Sequence, residues 1–312
     1  MANRLMLLDT ASLYFRAFYG LPDSLKAPDG TPVNAVRGLL DMIARLVTDY
    51  QPTHLVACWD DDWRPAWRVN LIPSYKAHRM VNAVDDGVDV EEVPEGLVAQ
   101  VPMIREILAA YGITVVGAAE HEADDVIGSL AAQADCPVDI VTGDRDLFQL
   151  VDDDRDVRVI YTARGMSRLE VLTDATVVSK YKVLPGQYAD FAALRGDSSD
   201  GLPGVAGIGD KTAASLLQEF VDLDGIIEAA NDSGSSMSAA MRSRITGAAD
   251  YLAVAPTVVN VVRDLDLGGV DAAIKPLDPG QLERVEQLAT NWALGGSTGR
   301  ALKALGNSPT AD

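Results

Sequence analysis

Nine carboxylates stand out by their positions: Asp9, Asp60, Glu122, Asp124, Asp125, Asp144, Asp146, Asp197 and Asp200. Asp9, Asp60 and Asp144 follow short apolar runs. Several of the nine are two or three residues apart: Glu122 with Asp124 and Asp125, Asp144 with Asp146, Asp197 with Asp200. A single acid at a helix start is ordinarily a cap or a charge favoured by the helix dipole. Several brought to one place repel each other, and the usual relief is a hard divalent cation held through oxygen. An all-carboxylate set suits Mg²⁺ or Mn²⁺, and two such ions about 4 Å apart serve in-line phosphodiester hydrolysis. His54, His78 and His121 are scattered, and Cys58 and Cys136 lie far apart in apolar runs. Neither zinc nor a disulfide framework is indicated.

The elements that would position these acids are legible as alternating strands and helices. Leu5 to Leu8, Leu55 to Trp59 and Val138 to Val141 read as buried parallel strands, and Ile113 to Val116 adds another. Helical patterns fall at about 36–50, 97–111 and 123–132. Strand, helix, strand in succession predicts an α/β fold with a mostly parallel central sheet flanked by helices, whose ligands bind at the carboxyl ends of the strands. From about Tyr181 the pattern becomes helix and turn only, so the expected division is 1–180 and 181–312.

Two further segments carry chemistry. Arg64 to Arg79, RPAWRVNLIPSYKAHR, has four bases (Arg64, Arg68, Lys76, Arg79) and no acid, with Trp67 and Tyr75 interleaved as a nucleic-acid groove needs. Acids then dominate from Met80 to Pro94, at Asp85, Asp86, Asp89, Glu91 and Glu92. Leu202 to Ala213, LPGVAGIGDKTA, places Gly204, Gly207 and Gly209 before a helix starting near Lys211, a hairpin whose backbone can approach a phosphate.

The chain has 312 residues, 48% hydrophobic, enough for two domains or one with an appendage. Its formal net charge of −20 argues, at face value, against a polyanionic partner. No window approaches 18 apolar residues, and the apolar stretch near the N-terminus is shorter than a signal peptide's. The expectation is a cytosolic protein with no membrane association. The last eight residues read as frayed.

Together these segments resemble the bacterial 5′-nuclease family, the flap endonuclease/5′-3′ exonuclease domain found at the front of DNA polymerase I and also as free-standing proteins. The matching stretches are LMLLDTASLYFRAFYGLP, GTPVNAVRGLL, WRVNLIPSYKAHR, EADDVIGSLA, VTGDRDLFQL and GDSSDGLPGVAGIGDKTA. The resemblance implies a PIN-like nuclease core with a helical arch over about 64–98 and a helix-three-turn-helix module at about 196–220. It implies a free-standing, monomeric enzyme, cytoplasmic and nucleoid-associated, acting in replication and repair on DNA with a 5′ flap, nick or 5′ end, RNA-primed ends included. Asp9, Asp60, Glu122, Asp124, Asp125, Asp144 and Asp146 would hold or surround two or three Mg²⁺ or Mn²⁺ ions, with Asp197 and Asp200 completing a second site. Lys76 and Arg79 would steer the scissile phosphate, Arg68 would support it, and Tyr75 would stack on a base. Gly204, Gly207, Gly209 and Lys211 would meet DNA, and the Val205 and Ile208 backbones would hold K⁺.

Two departures from the family pattern bear on this. Asp60, Asp61 and Asp62 are consecutive where one acid is usual. Counting back from Arg68 selects Asp61, whereas the strand end selects Asp60, taken here because adjacent strand residues face opposite ways. The usual SDN is SDG at Gly201. Two other readings are a catalytically silent DNA-structure binder and a PIN-type ribonuclease. The full acid set speaks against the first, and the hairpin and basic segment against the second.

Overall fold

The structure, a computed structural model, describes residues 3–84 and 87–307. Asp85, Asp86 and the chain end at 308–312 lie outside the described residues. The strands are β1 (Leu5–Asp9), β2 (His54–Cys58), β3 (Met80–Asn82), β4 (Val90–Glu91), β5 (Thr114–Val116), β6 (Val138–Thr142), β7 (Val157–Tyr161) and β8 (Glu170–Leu172). Helices of the first half are α1 (Thr10–Gly20), α2 (Asn34–Tyr50), α3 (Ala66–Leu71), α4 (Glu95–Val98), α5 (Gln100–Ala110), α6 (Ala123–Gln133) and α7 (Asp174–Tyr181). There follow α8 (Tyr188–Arg195), α9 (Asp210–Phe220), α10 (Leu223–Asn231), α11 (Ala239–Gly247), α12 (Ala249–Leu252), α13 (Ala255–Val259), α14 (Pro279–Asn291) and α15 (Gly296–Ala304).

Six strands form one sheet in the order β5-β2-β1-β6-β7-β8, parallel except for β8 against β7. The three central strands, β2, β1 and β6, are mostly apolar because both sheet faces are covered; the exception inside β6, Asp139, is buried in ion pairs with Arg4 and Arg158. Leu5 and Leu7 face one core with Val56, Val138 and Ile140, while Met6 and Leu8 face the other with Leu55, Ala57 and Val141. A one-residue slip would exchange the two sets, at about 1.5–3 kcal/mol for each large side chain misplaced. Strand β7 was legible in the alternating VRVIY but stood outside the expected set. Register places Asp9, the Asp60 turn and Asp144 at the same sheet edge.

The helical second half is not one body. Buried residues of α9, α10 and α11 pack with α6 on one face, whereas α14 and α15 pack with α2 and α5 on the other. The connecting strap runs beside β2, where Leu55 donates to the Ala272 carbonyl and Ile274 to that of Thr53. The described residues of 181–312, a stretch expected as one helical region, are thus divided between the two faces of the sheet.

Among its described residues the segment at 64–98, expected as a helical arch, holds the helices α3 and α4; between them the chain makes a 3₁₀ turn at Ala77–Arg79 and the antiparallel β3–β4 hairpin. Pro73, a left-handed Lys76 and the valines at 81, 84, 88 and 90 favour extended backbone over helix. The helix expected over 97–111 is broken at Ala99, because Pro102 cannot donate to the carbonyl of Val98.

Candidate active site

Asp9 ends β1 and caps α1, accepting from the Ser12 N–H at 3.1 Å and from the Thr142 hydroxyl at 2.6 Å. That hydroxyl also accepts from the Asp144 N–H at 2.8 Å, so β1 and the turn after β6 are tied together beneath the acids. Asp60 lies in the turn beyond β2 and accepts from the Ala123 N–H of α6 at 2.8 Å. Asp124, one residue on, has no hydrogen-bonding or ion-pair partner among the described residues. Asp9, Asp60, Glu122, Asp124 and Asp144 line one cavity of about 560 Å³, with Lys76 and Arg79 on its wall.

The electrostatics of this cavity are unfavourable to its own acids. Burial, together with the charge of Asp60, raises the Asp9 carboxyl to about 7; burial, aided by Glu122, raises that of Asp60 to about 6. Burial, with Asp144 and Asp9 adding, pushes Asp124 well up, and burial with Asp144 does the same for Asp146. Asp146 also has a buried Oδ1 with no hydrogen-bond partner. Oxygen-only donors and mutual repulsion fit a hard cation in the cavity, and the orphaned oxygen of Asp146, which does not line it, fits one beside it. Among the described residues, however, no three such groups stand close enough together, as placed, to enclose an ion.

The second group of acids lies to one side. Asp197 and Asp144 share the lining of a neighbouring recess of about 410 Å³. Despite its burial, Asp197 is held below the usual carboxylate range by the Ser199 hydroxyl and N–H and by Arg195, 3.2 Å away, and Arg145. Asp200 pairs with Arg79 at 3.0 Å.

Several residues occupy places other than those expected. Arg68, expected beside the phosphate, is 2% exposed; it grips Asp125 with two N–H groups at 2.9 and 2.7 Å and reaches Glu122 at 3.1 Å. Asp125, expected at the metals, is fully buried and turned to Arg68, the Glu122 N–H and the Val262 N–H, because each of these donors lies on the core side. Tyr75 is 4% exposed and donates its hydroxyl to Glu122, so its ring offers no face to a base. Lys76 is ion-paired with Glu122, and Arg64 with Asp89. Three of the four cations of the acid-free segment are therefore buried against the molecule's own acids; Arg79 alone keeps substantial exposure. Trp67 carries the Arg68 guanidinium 4.5 Å over its ring.

Asp61, the alternative to Asp60, is exposed and pairs with Arg105 at 2.8 Å. The alternation argument used to separate the two does not apply, since β2 ends at Cys58 and both lie in the turn. What separates them is the Ala123 N–H that turns Asp60 inward.

At the hairpin, Gly204 (φ +65°) is needed for contact within the chain: a Cβ would lie 2.4 Å from the Gly196 nitrogen. Gly207 and Gly209 are exposed, as is Lys211 in the first turn of α9. The Val205 and Ile208 side chains are buried, and the Ile208 N–H donates to the Val205 carbonyl. Besides Ser12 and Thr142, which hold Asp9, two more residues carry no sequence signal as part of the site. Glu91 lines the cavity from β4 although its sequence context is only an acidic run. Arg244 of α11 donates to the Gly207 carbonyl at 3.2 Å, and no motif announces it.

Acids at the carboxyl edge of a parallel sheet, beside cationic side chains, suit phosphodiester hydrolysis, the chemistry of a nuclease. Residues 4–182 match the 5′-3′ exonuclease N-terminal resolvase-like domain, and residues 183–279 match the 5′-3′ exonuclease C-terminal SAM fold. The chain belongs to the 5′-3′ exonuclease family and is a 5′-nuclease. It is 58% identical over 300 residues to a 5′-3′ exonuclease of Streptomyces coelicolor, covering 96% of this chain and 99% of that one. It is 46% identical to a 5′-3′ exonuclease of Mycobacterium tuberculosis, over 99% of this chain and 100% of that one. A DNA polymerase I of Mycobacterium bovis is 38% identical over 91% of this chain, which spans 30% of that protein. Among solved structures, the T5 D15 protein co-crystallised with metal ions has a TM-score of 0.62 at 18% identity, covering 97% of this chain and 100% of that one. Human GEN1 in complex with Holliday junction DNA has a TM-score of 0.63 at 15% identity, over 97% of this chain and 72% of that one. Among the described residues, no helix is long and apolar enough to cross a membrane.

Proposed function

We propose that this 5′-nuclease is structure-specific and divalent-metal-dependent, cutting DNA at 5′ flaps, nicks and 5′ ends, RNA-primed ends included, as a monomer in replication and repair. The observation that carries the reading is the gathering of Asp9, Asp60, Asp124 and Asp144 on one cavity beside Lys76 and Arg79. Mg²⁺ or Mn²⁺ bound there, as two or three ions, would supply positive charge to offset the charge that develops on the attacking and leaving oxygens.

The protein's own part is positioning. Thr142 and Ser12 hold Asp9, and the α6 N-terminus holds Asp60, so both side chains are fixed at the cavity wall before any substrate arrives. Lys76 and Arg79 present cations to a phosphate entering from the open side. Glu122 keeps Lys76 ionised in spite of its burial. Arg68, Asp125 and Tyr75 act through Glu122 and α6 rather than on the substrate. Asp146, Asp197 and Asp200 form the second acid group. Gly207, Gly209 and Lys211 would meet a duplex backbone, Gly204 would shape the hairpin, and the Val205 and Ile208 backbones would offer groups to a K⁺ there.

Sizing the products from a labelled double-flap duplex tests this reading. Cleavage at the junction, dependent on divalent ions, is expected; products only from single strands would overturn structure specificity.

A further inference from the structure

The loop bearing Asp197 and Asp200 is docked against the segment bearing Lys76, with no space left at Gly201. The Lys76 N–H donates to the Asp200 carbonyl at 2.9 Å, the Ser74 hydroxyl to the Gly201 carbonyl at 2.7 Å, and the Arg79 guanidinium to the Ser199 carbonyl at 2.6 Å. Three consecutive carbonyls are thus taken by one short segment. Gly201 has φ +71°, and a Cβ on it would lie 2.0 Å from the Ser74 carbonyl oxygen, 3.0 Å from its carbon and 3.4 Å from the Lys76 nitrogen. Lys76 has φ +48°, a left-handed conformation that a lysine keeps only when its surroundings impose it. The loop is itself closed, because Asp197 and Leu202 exchange two backbone hydrogen bonds of 3.0 and 2.8 Å.

We infer that Gly201 is a positioning residue for the reaction: its missing side chain lets residues 74–76 seat on the acid loop, and this seating fixes Lys76 relative to the carboxylates. The inference rests on the reading of the cavity as the hydrolytic site. Any L-residue at 201 meets a backbone atom, which cannot rotate away as a side-chain tip would. Asparagine tolerates the left-handed backbone but carries the same Cβ, so Gly201→Asn separates the backbone conformation from the collision. A displacement of about an ångström near a reacting centre costs on the order of a hundredfold in rate.

The test compares Gly201→Ala and Gly201→Asn with the unaltered protein in kcat, KM, melting temperature and amide exchange at Lys76. We expect kcat to fall by about ten- to a hundredfold with KM within about threefold, and the Lys76 amide to exchange faster. Lys76→Ala should add little on the Gly201→Ala background, since the ammonium is already misplaced. A role confined to packing would lower the melting temperature yet leave kcat of the folded protein, and the separate loss on Lys76→Ala, intact; that result overturns the inference. If the unaltered protein cleaved no DNA, the hydrolytic reading would fail by itself. Amide exchange would still decide the docking, and unchanged protection at Lys76 in Gly201→Ala would overturn it.

Discussion

Arg68 and Asp125 form a two-pronged ion pair beneath the acid cavity, with nitrogen–oxygen separations of 2.9 and 2.7 Å. Both side chains are removed from solvent, and the same guanidinium reaches Glu122, which in turn accepts from Tyr75 and Lys76. A buried pair of this kind is costly to break from one side because the remaining charge stays buried. Arg68→Ala is therefore expected to lose about 3–5 kcal/mol of folding stability, measurable by urea unfolding. Arg68→Lys should recover only part of this, since an ammonium cannot make the fork. A loss below about 1 kcal/mol, the range of exposed pairs, would show that the pair is not structural.

Asp60 and Asp61 are neighbours in sequence with opposite surroundings. Asp60→Asn should lower turnover by about a hundredfold or more, whereas Asp61→Asn, which alters an exposed pair with Arg105, should leave turnover within about twofold. Steady-state cleavage of a flap duplex by the two variants decides it. The reverse order would place Asp61 at the metal.

Acid titration gives a stability prediction with a definite sign. The raised Asp9 and Asp60 carboxyls, at about 7 and about 6, bind protons in the folded chain at pH values where the unfolded chain has released them. Their contribution to stability is full below about pH 4 and is lost as pH rises through those values. Mg²⁺ should raise the melting temperature more at about pH 8 than at about pH 5, because only the ionised carboxylates bind it. Equal shifts at the two pH values in calorimetry would mean that the ion binds elsewhere.

The sheet and most of the acids were legible for a simple reason: a parallel strand buried on both faces must be a short apolar run, and a polar residue that ends it must lie at the sheet edge. Leu5 to Leu8 followed by Asp9 carries that information locally. The basic segment was not legible in the same way. Arg64, Arg68 and Lys76 are separated in sequence from Asp89, Asp125 and Glu122, so nothing in RPAWRVNLIPSYKAHR shows that Arg64 and Arg68 are spent inside the molecule while Lys76, paired with Glu122, stays on the cavity wall. An acid-free stretch there reads as a phosphate track, whereas the fold uses most of it to neutralise buried acids. Gly201 was equally opaque, because a collision with the Ser74 carbonyl depends on a contact across more than a hundred residues.

With that segment largely neutralised, we expect duplex binding to rest on the exposed hairpin. Lys211→Ala is expected to weaken binding to all duplexes alike and to reduce the slope of log affinity against log salt by about one. Fluorescence anisotropy over a salt series measures this. An unchanged slope would show that Lys211 contacts no phosphate.

The most direct test of the central claim is the behaviour of Asp124, whose carboxylate in the cavity has no hydrogen-bonding or ion-pair partner among the described residues and has repelling neighbours in Asp144 and Asp9. Removing its charge relieves repulsion without breaking a bond, so Asp124→Asn should fold at least as stably as the unaltered protein. Its Mg²⁺-dependent cleavage of a 5′-flap duplex should nevertheless fall by about a hundredfold or more. Cleavage at the unaltered rate by a stably folded Asp124→Asn protein would contradict the assignment of this cavity as the site of phosphodiester hydrolysis.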